Sequence, residues 1–454
     1  MFLQKLSKKP PAFHAALFII TLVPLYLASY QYRSRHPSGD FSKSAAEKAA
    51  LTSAEFHREW LDVHVVQPFN PSAIAIYCNR SEWRPNLVFN LANANGGIGN
   101  VRGNILDFLF YAIEAGASIM LPGMAARSHD DISNVWADRA PFDLMFDEEW
   151  FLWAMGRACP QMTIYKPREG QQMVDALPGN YLPRSRRMDA DHENAKDAYL
   201  SDLDTWLKSK SEFKPENLTL VNLERTLWEV DTRSLPLSFR RNFGQLLRIT
   251  PSVRRLAATA VYNLAARHHL PSNPQTPIAP NTFFGAHLRT EADAQNAGWL
   301  NEPNTNFTAQ TDAYIQHAEK HKLRVMYVAT GNATDLARFK EKAASHAPPI
   351  TVTSKLDLLP PELLKELQRL TWDQQALVDY EVLQRSSVFG GFVKSSFAYN
   401  IAMTRNQWLE DQGRVTDPWY ITHADAAVAF DDGISRMIAR DQWHEQRIPR
   451  GMWP

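Results

Sequence analysis

Residues 282–293, TFFGAHLRTEAD, carry an apolar run up to His287, Leu288 and Arg289 and then turn acidic at Glu291 and Asp293. So short an apolar run reads as a buried strand, and a strand ending in His and Arg delivers both side chains to the lip of a sheet, where α/β domains hold ligands. An arginine at that lip suits a phosphate, whose oxygens match the guanidinium fork. A second stretch complements it. VFGGFVKSSFAYNIAMTR (388–405) sets Ser395, Ser396 and Phe397 at a strand-to-helix turn. Hydroxyls, backbone N–H groups and the positive end of a helix together favour an anion there. Phe397 reads equally well as part of this site or as a core residue.

A third stretch, GGIGNVRG (96–103), lies ahead of a helical pattern. Gly96, Gly97 and Gly99 would present backbone N–H groups to an anion or a sugar hydroxyl, and Asn100 and Arg102 would project from the turn. The glycine spacing misses the dinucleotide fingerprint by one residue. The acidic residue that fingerprint wants about 20 positions on is absent, which argues against a nicotinamide or flavin enzyme. DADHE (189–193) and DLD (202–204) have the look of acidic metal motifs but lie in solvated runs rather than at a strand end. No metal site and no cofactor are expected. Cys78 and Cys159 are the only cysteines; they form either one disulfide or two buried thiols.

The elements that must position these residues fall into two halves. LVFNLA (87–92) reads as a strand, 101–115 as a helix stopped by Gly116, and 117–121 as the next strand, a βαβ unit with a Gly-rich first turn. SAIAIYC (72–78) reads as a short extra strand, 142–166 as a helix then a strand, 167–216 as a helical or irregular insertion, 218–224 as a strand, and 237–268 as two helices split by Pro251. PSNPQTPIAPN (271–281) is the clearest linker. Strands at 282–289, 323–330, 350–354 and 388–392 then alternate with helices. This is an α/β chain with a first lobe over 71–270, a second over 282–412, a site in the cleft, and a segment 413–454 packing back.

Lys+Arg and Asp+Glu both number 49 in 454 residues, so the net charge is zero and bulk nucleic-acid binding is not expected. Residues 12–30, AFHAALFIITLVPLYLASY, hold no Asp, Glu, Lys or Arg. They read as a single-pass membrane anchor, with a cleaved signal peptide as the alternative. Residues 1–11 would be a cytoplasmic tail and 31–70 a stem. Sequons at Asn79, Asn217, Asn306 and Asn332 agree with a lumenal body.

Four blocks, in order, resemble the GDP-fucose protein O-fucosyltransferases and their plant relatives. They are GGIGNVRGNILDFLFYAIEAGASIMLP, FDLMFDEEWFLWAMG, GAHLRTEAD, and VMYVATGNATD followed by VFGGFVKSSFAYNIAMTR. Together they span about residues 87–405, and the chain looks like a divergent member. The resemblance implies a GT-B fold of two Rossmann-like lobes, GDP-fucose as donor, inversion at the anomeric carbon, no metal, and a protein Ser/Thr or glycan hydroxyl as acceptor. Arg289 would hold the β-phosphate and stabilise the leaving GDP, and Asn100 would sit near donor and acceptor; these two are the catalytic candidates. His287 would contact the nucleotide, and Asp293 would take the family's Asp position. Ser395, Ser396 and Phe397 would bind phosphate and pack on the nucleotide, and Gly96, Gly97 and Gly99 would line the loop. Glu291 and Asp293 are the candidate bases. One departure stands out: Gly331 follows Thr330 where the family has an Asp that reads the nucleotide. A Golgi or ER membrane enzyme with a lumenal catalytic part is the expectation. The alternatives are a GT-B enzyme for another nucleotide sugar and a non-catalytic lectin-like or scaffold membrane protein.

Overall fold

Buried apolar runs bounded by turn signals become parallel strands, and the polar-faced segments between them become the helices that cover them. The computed structural model describes residues 51–91, 93–127, 133–134, 138–166, 175–187, 194–414, 428–440, 447–448 and 450–454. The expected tail (1–11), anchor (12–30), first part of the stem (31–50) and DADHE motif lie outside the described residues. Among the described residues no helix is long and apolar enough to cross a membrane.

The first sheet has the order β5-β2-β1-β6, all parallel, from β1 (Arg84–Leu91), β2 (Ala117–Met120), β5 (Ile164–Tyr165) and β6 (Thr219–Leu223). Between β2 and β5, β3 (Met124–Ala126) and β4 (Asp138–Ala140) form an antiparallel pair. The helices of this half are α1 (Ser53–Asp62), α2 (Ser72–Cys78), α3 (Ile98–Ala115), α4 (Glu148–Ala158), α5 (Ala195–Lys208), α6 (Leu237–Gly244) and α7 (Pro251–His268). The second sheet has the order β11-β12-β10-β7-β8-β9. Its strands are β7 (Phe284–His287), β8 (Val325–Ala329), β9 (Thr351–Thr353), β10 (Val388–Phe392), β11 (Val428–Asp431) and β12 (Ser435–Ile438). Only β11 runs antiparallel. Its helices are α8 (Ala292–Asn296), α9 (Phe307–Lys320), α10 (Ala333–Ala344), α11 (Lys355–Leu358), α12 (Pro361–Arg369), α13 (Trp372–Gln384) and α14 (Ser396–Asp411). Phe284, Ala286, Tyr314, Met326, Val328 and Phe392 form the centre of its core.

Several expectations need correction. SAIAIYC is the helix α2, not a strand. Ile74 and Cys78 are four apart and both buried, while Ile76 on the other side is 50% exposed, which is helical sidedness. Cys78 is disulfide-bonded to Cys159 with a Cα–Cα distance of 5.5 Å, and the bond pins α2 to the end of α4. Of the expected stem, α1 is built into the body. A capping box from Thr52 and Glu55 starts it, Phe56 and Trp60 are buried, and buried Arg254 of α7 donates to the carbonyls of Trp60 and Leu61. The second half does not end at residue 412, because β11 and β12 extend its sheet. Arg405, fully buried, ties them in by donating to the carbonyls of Gln384, Ser386, Ser387 and Ile434 and to Ser435 Oγ. Asn306 and Asn332, two of the sequon asparagines, are helix N-caps whose side-chain oxygens accept from the N–H groups of Ala309 and Asp335.

The two halves meet through helix pairs α3 with α14 and α7 with α13. Residues 452–454 lie across the first of these pairs. Trp453 packs against Phe110 and Phe243, donates from Nε1 to Asp107 Oδ1 at 2.8 Å, and accepts from Asn400 Nδ2 of α14 at 3.0 Å. Burial pushes the Asp107 carboxyl up to about 7. Arg102 does not project from the glycine turn. It is buried and donates to the carbonyls of Gly244, Leu247 and Pro454.

Candidate functional site

A cavity of about 700 Å³ opens between the carboxyl ends of the two sheets. The first half contributes Gly96 and Gly97 from the turn after β1, Asn100 from the first turn of α3, Arg127 from just after β3, and Arg225 from beyond β6. In the second half, neighbouring strands deliver their residues in spatial order. Ser395, Ser396 and Phe397 follow β10, His287 ends β7 with Arg289 just after, Thr330 and Gly331 follow β8, and Lys355 follows β9. The sequence-predicted residues Gly96, Gly97, Asn100, His287, Arg289, Glu291, Asp293, Ser395, Ser396 and Phe397 thus share one wall system. Gly99 is the exception. It faces the backbone of Ser396 instead, and a Cβ built on it would lie 2.6 Å from the Ser396 carbonyl carbon. Its role is to let the first turns of α3 and α14 touch.

Arg289 is held at both terminal nitrogens of its guanidinium. Nη1 donates to Glu291 Oε2 at 2.5 Å and Nη2 to Asp293 Oδ2 at 2.6 Å, and its side chain is 14% exposed. Burial works against its charge, but Glu291 and Asp293 outweigh that and hold its pKa above the ordinary value. Its N–H donates to Gln310 Oε1. Glu291 in turn accepts at Oε1 from Gly331 N at 2.7 Å and Thr330 Oγ1 at 3.2 Å, tying the end of β7 to that of β8. Burial would raise the Glu291 carboxyl, but Arg289, His287 and the Gly331 N–H prevail and hold it below the usual range. Asp293 Oδ1 accepts from Ala294 N. Both carboxylates considered as bases are therefore occupied in orienting Arg289.

His287 packs its ring 4.7 Å from that of Phe397, which accounts for both readings of Phe397, as core-like packing and as cavity wall. Burial, with Arg289 nearby, pulls the His287 pKa down to about 4, so the imidazole is neutral near pH 7. Its Nδ1 is buried without a hydrogen-bond partner. At the start of α14, Ser395 Oγ accepts from Ala398 N.

Several cavity residues carried no recognisable motif. Arg127 reaches across to Asp373 of α13 at 3.3 Å, an ion pair between the two halves. Gly97 makes room for it, since a Cβ there would lie 3.0 Å from Arg127 Nη2. Lys355 pairs with Asp379 at 2.5 Å, and Tyr327 donates to the same carboxylate at 2.6 Å. Lys394 pairs with Glu302 at 2.6 Å. Met-Ala-Ala-Arg (124–127) does repeat, in shorter form, the apolar-run-to-arginine pattern of GAHLR, and that signal could have found Arg127. Asp202 and Asp204 of the DLD motif are taken up by Tyr181 and Arg84, away from the cavity.

Two largely parallel sheets with their carboxyl ends turned to one cleft define a two-lobed α/β protein, and such strand ends are where α/β domains place their ligands. The chain belongs to the GDP-fucose protein O-fucosyltransferase family, whose sequence model matches residues 87–407, and it is a glycosyltransferase. No curated protein matches it by sequence. Among solved structures it is similar to POFUT1 in complex with GDP-fucose, at 13% identity over 72% of this chain and 96% of that one, with a TM-score of 0.42. It is also similar to POFUT1 in complex with GDP, at 14% identity over 72% and 96%, with a TM-score of 0.40. A mutant of Arabidopsis thaliana FUT1 in complex with GDP matches at 14% identity over 82% and 81%, with a TM-score of 0.37.

Proposed function

We propose that the chain is a GT-B, inverting, metal-independent fucosyltransferase that moves fucose from GDP-fucose to a hydroxyl of a protein or glycan. The observation that carries this reading is Arg289, held by Glu291 and Asp293 beside the Ser395–Ser396 turn that opens α14. Departure of GDP builds negative charge on the β-phosphate. A fixed guanidinium, the serine hydroxyls and the N–H groups at the start of α14 neutralise it without reorganising. His287, neutral, and Phe397 contact the nucleotide, and Gly96, Gly97 and Asn100 face the sugar and the acceptor. The four cavity-lining carboxylates among the described residues, Glu291, Asp293, Asp373 and Asp379, are each ion-paired. Catalysis in this reading acts on the leaving group, ahead of any deprotonation of the acceptor.

A thermal-shift series tests it. GDP at 100 times its Kd should stabilise the protein by about 2.7 kcal/mol, while UDP should do little, and EDTA should leave transfer unchanged. Stabilisation by UDP alone would move the assignment to another nucleotide sugar.

We further propose that residues 12–30 anchor the chain with its body in the ER or Golgi lumen. The uncharged apolar run and the Cys78–Cys159 disulfide support this, since such bonds persist in oxidising compartments. The protein should stay with membranes through alkaline carbonate washing, and a chain lacking residues 1–30 should be released. Release of the intact chain would refute the anchor.

A further inference from the structure

We infer that Trp372 is the seat on which the nucleobase of the donor stacks, an inference that rests on reading the donor as a nucleoside diphosphate sugar. The strand order supplies the first argument. The anion-holding residues stand at the ends of β10 and β7, and Gly331 and Lys355 follow the next two strands, β8 and β9. Two inter-strand steps span roughly 10 Å, which is the reach of a ribose between a diphosphate and its base. A diphosphate seated at Arg289 and Ser395 therefore lays its base over the ends of β8 and β9.

The indole occupies that region. Trp372, the first residue of α13, is half-buried and lines the cavity. It lies against Gly331 so closely that a Cβ on Gly331 would overlap the ring, 2.5 Å from Cζ2. Gly331 has no left-handed backbone to account for a glycine; the tryptophan accounts for it. The loop beneath is fixed, because Gly331 N donates to Glu291 Oε1. The other tryptophans of the cavity wall do not fit the role. Trp299 sits at the anion end, with the Arg289 guanidinium 5.8 Å from its ring centre, and Trp228 is only 2% exposed. An aromatic platform thus stands where a strand-end acid is missing, and the base is held by its face, with the Lys355–Asp379 pair alongside as a polar edge.

Isothermal titration of the full chain with GDP and with inorganic pyrophosphate tests the seat. Stacking of a base on an aromatic ring accounts for about 5- to 150-fold in affinity. Trp372→Ala should raise the GDP Kd by that factor and leave pyrophosphate binding unchanged, and Trp372→Phe should recover most of the loss. Gly331→Ala, whose methyl displaces the indole, should show the same selective loss. Retained pyrophosphate binding also reports an intact fold. Unaltered GDP affinity in Trp372→Ala, or equal loss of GDP and pyrophosphate, overturns the seat. If the wild-type chain prefers another nucleoside diphosphate and Trp372→Ala weakens that one, the GDP assignment fails and the seat stands. Binding of no nucleoside diphosphate refutes both.

Discussion

Replacing Arg289 by alanine is expected to lower the turnover of fucosyl transfer by at least about 10²- to 10³-fold, the loss seen when one preorganised donor to a developing charge is removed. The structure adds a second consequence. Glu291 and Asp293, 7% and 18% exposed, currently share this guanidinium. Without it, two carboxylates face the diphosphate, so donor affinity should fall together with turnover. The fold should suffer too, because breaking a buried pair by removing one partner costs about 3–5 kcal/mol. Loss of activity in Arg289→Ala alone therefore does not separate chemistry from folding. Adding Glu291→Gln and Asp293→Asn removes the unpaired charges. The triple variant should regain most of the lost melting temperature while its turnover stays at the level of Arg289→Ala. Turnover that returns with stability would show that Arg289 is structural. Arg289→Lys keeps the charge but cannot hold both carboxylates and a phosphate with one planar fork, so it should fall between wild type and alanine in turnover.

The sequence made Arg289 legible because the strand that carries it is buried on both faces. A continuous apolar run up to Ala286 stops in His287 and Arg289, and parallel strands of an α/β sheet put such ends at the ligand edge. β1, β8 and β10 were legible for the same reason, and Ser395 because an N-cap residue announces the helix it starts. SAIAIYC misled because its apolar residues also suit a strand; what decides for a helix is that Ile74 and Cys78 are buried while Ile76 between them is exposed, a matter of what packs around the segment. The Arg127–Asp373 pair and the fit of Trp372 on Gly331 each join residues from different elements. No local pattern encodes such meetings. Glu291 looked like a free acid next to an arginine, and only its bonds to Arg289, Thr330 and Gly331 turn it into a positioning group. β12 was missed because Ser435 and Arg436 interrupt any apolar run, and β11 joins the sheet only by pairing with β12, a tertiary fact.

Gly99 separates the two kinds of information most sharply, and its substitution should have the second-largest effect. A glycine inside a helix costs about 1 kcal/mol relative to alanine, so on local grounds Gly99→Ala in α3 stabilises. Gly156, inside α4 with open space around its missing side chain, is the matched control, and Gly156→Ala should raise the melting temperature. At Gly99 the added methyl meets the Ser396 backbone at 2.6 Å and its Cβ at 2.9 Å. Backbone cannot rotate away as a side-chain tip can, so the first turns of α3 and α14 must separate, at a cost of about 1–3 kcal/mol for overpacking. The same movement carries Asn100 away from Ser395 and Ser396, and a 1 Å misplacement of catalytic groups can cost about 10²-fold in rate. Gly99→Ala should therefore lower both the melting temperature and the turnover, the latter by about 10²-fold, while Gly156→Ala raises the first and leaves the second alone. If Gly99→Ala is as stable and as active as wild type, the close approach of the two helix starts is not what assembles the site.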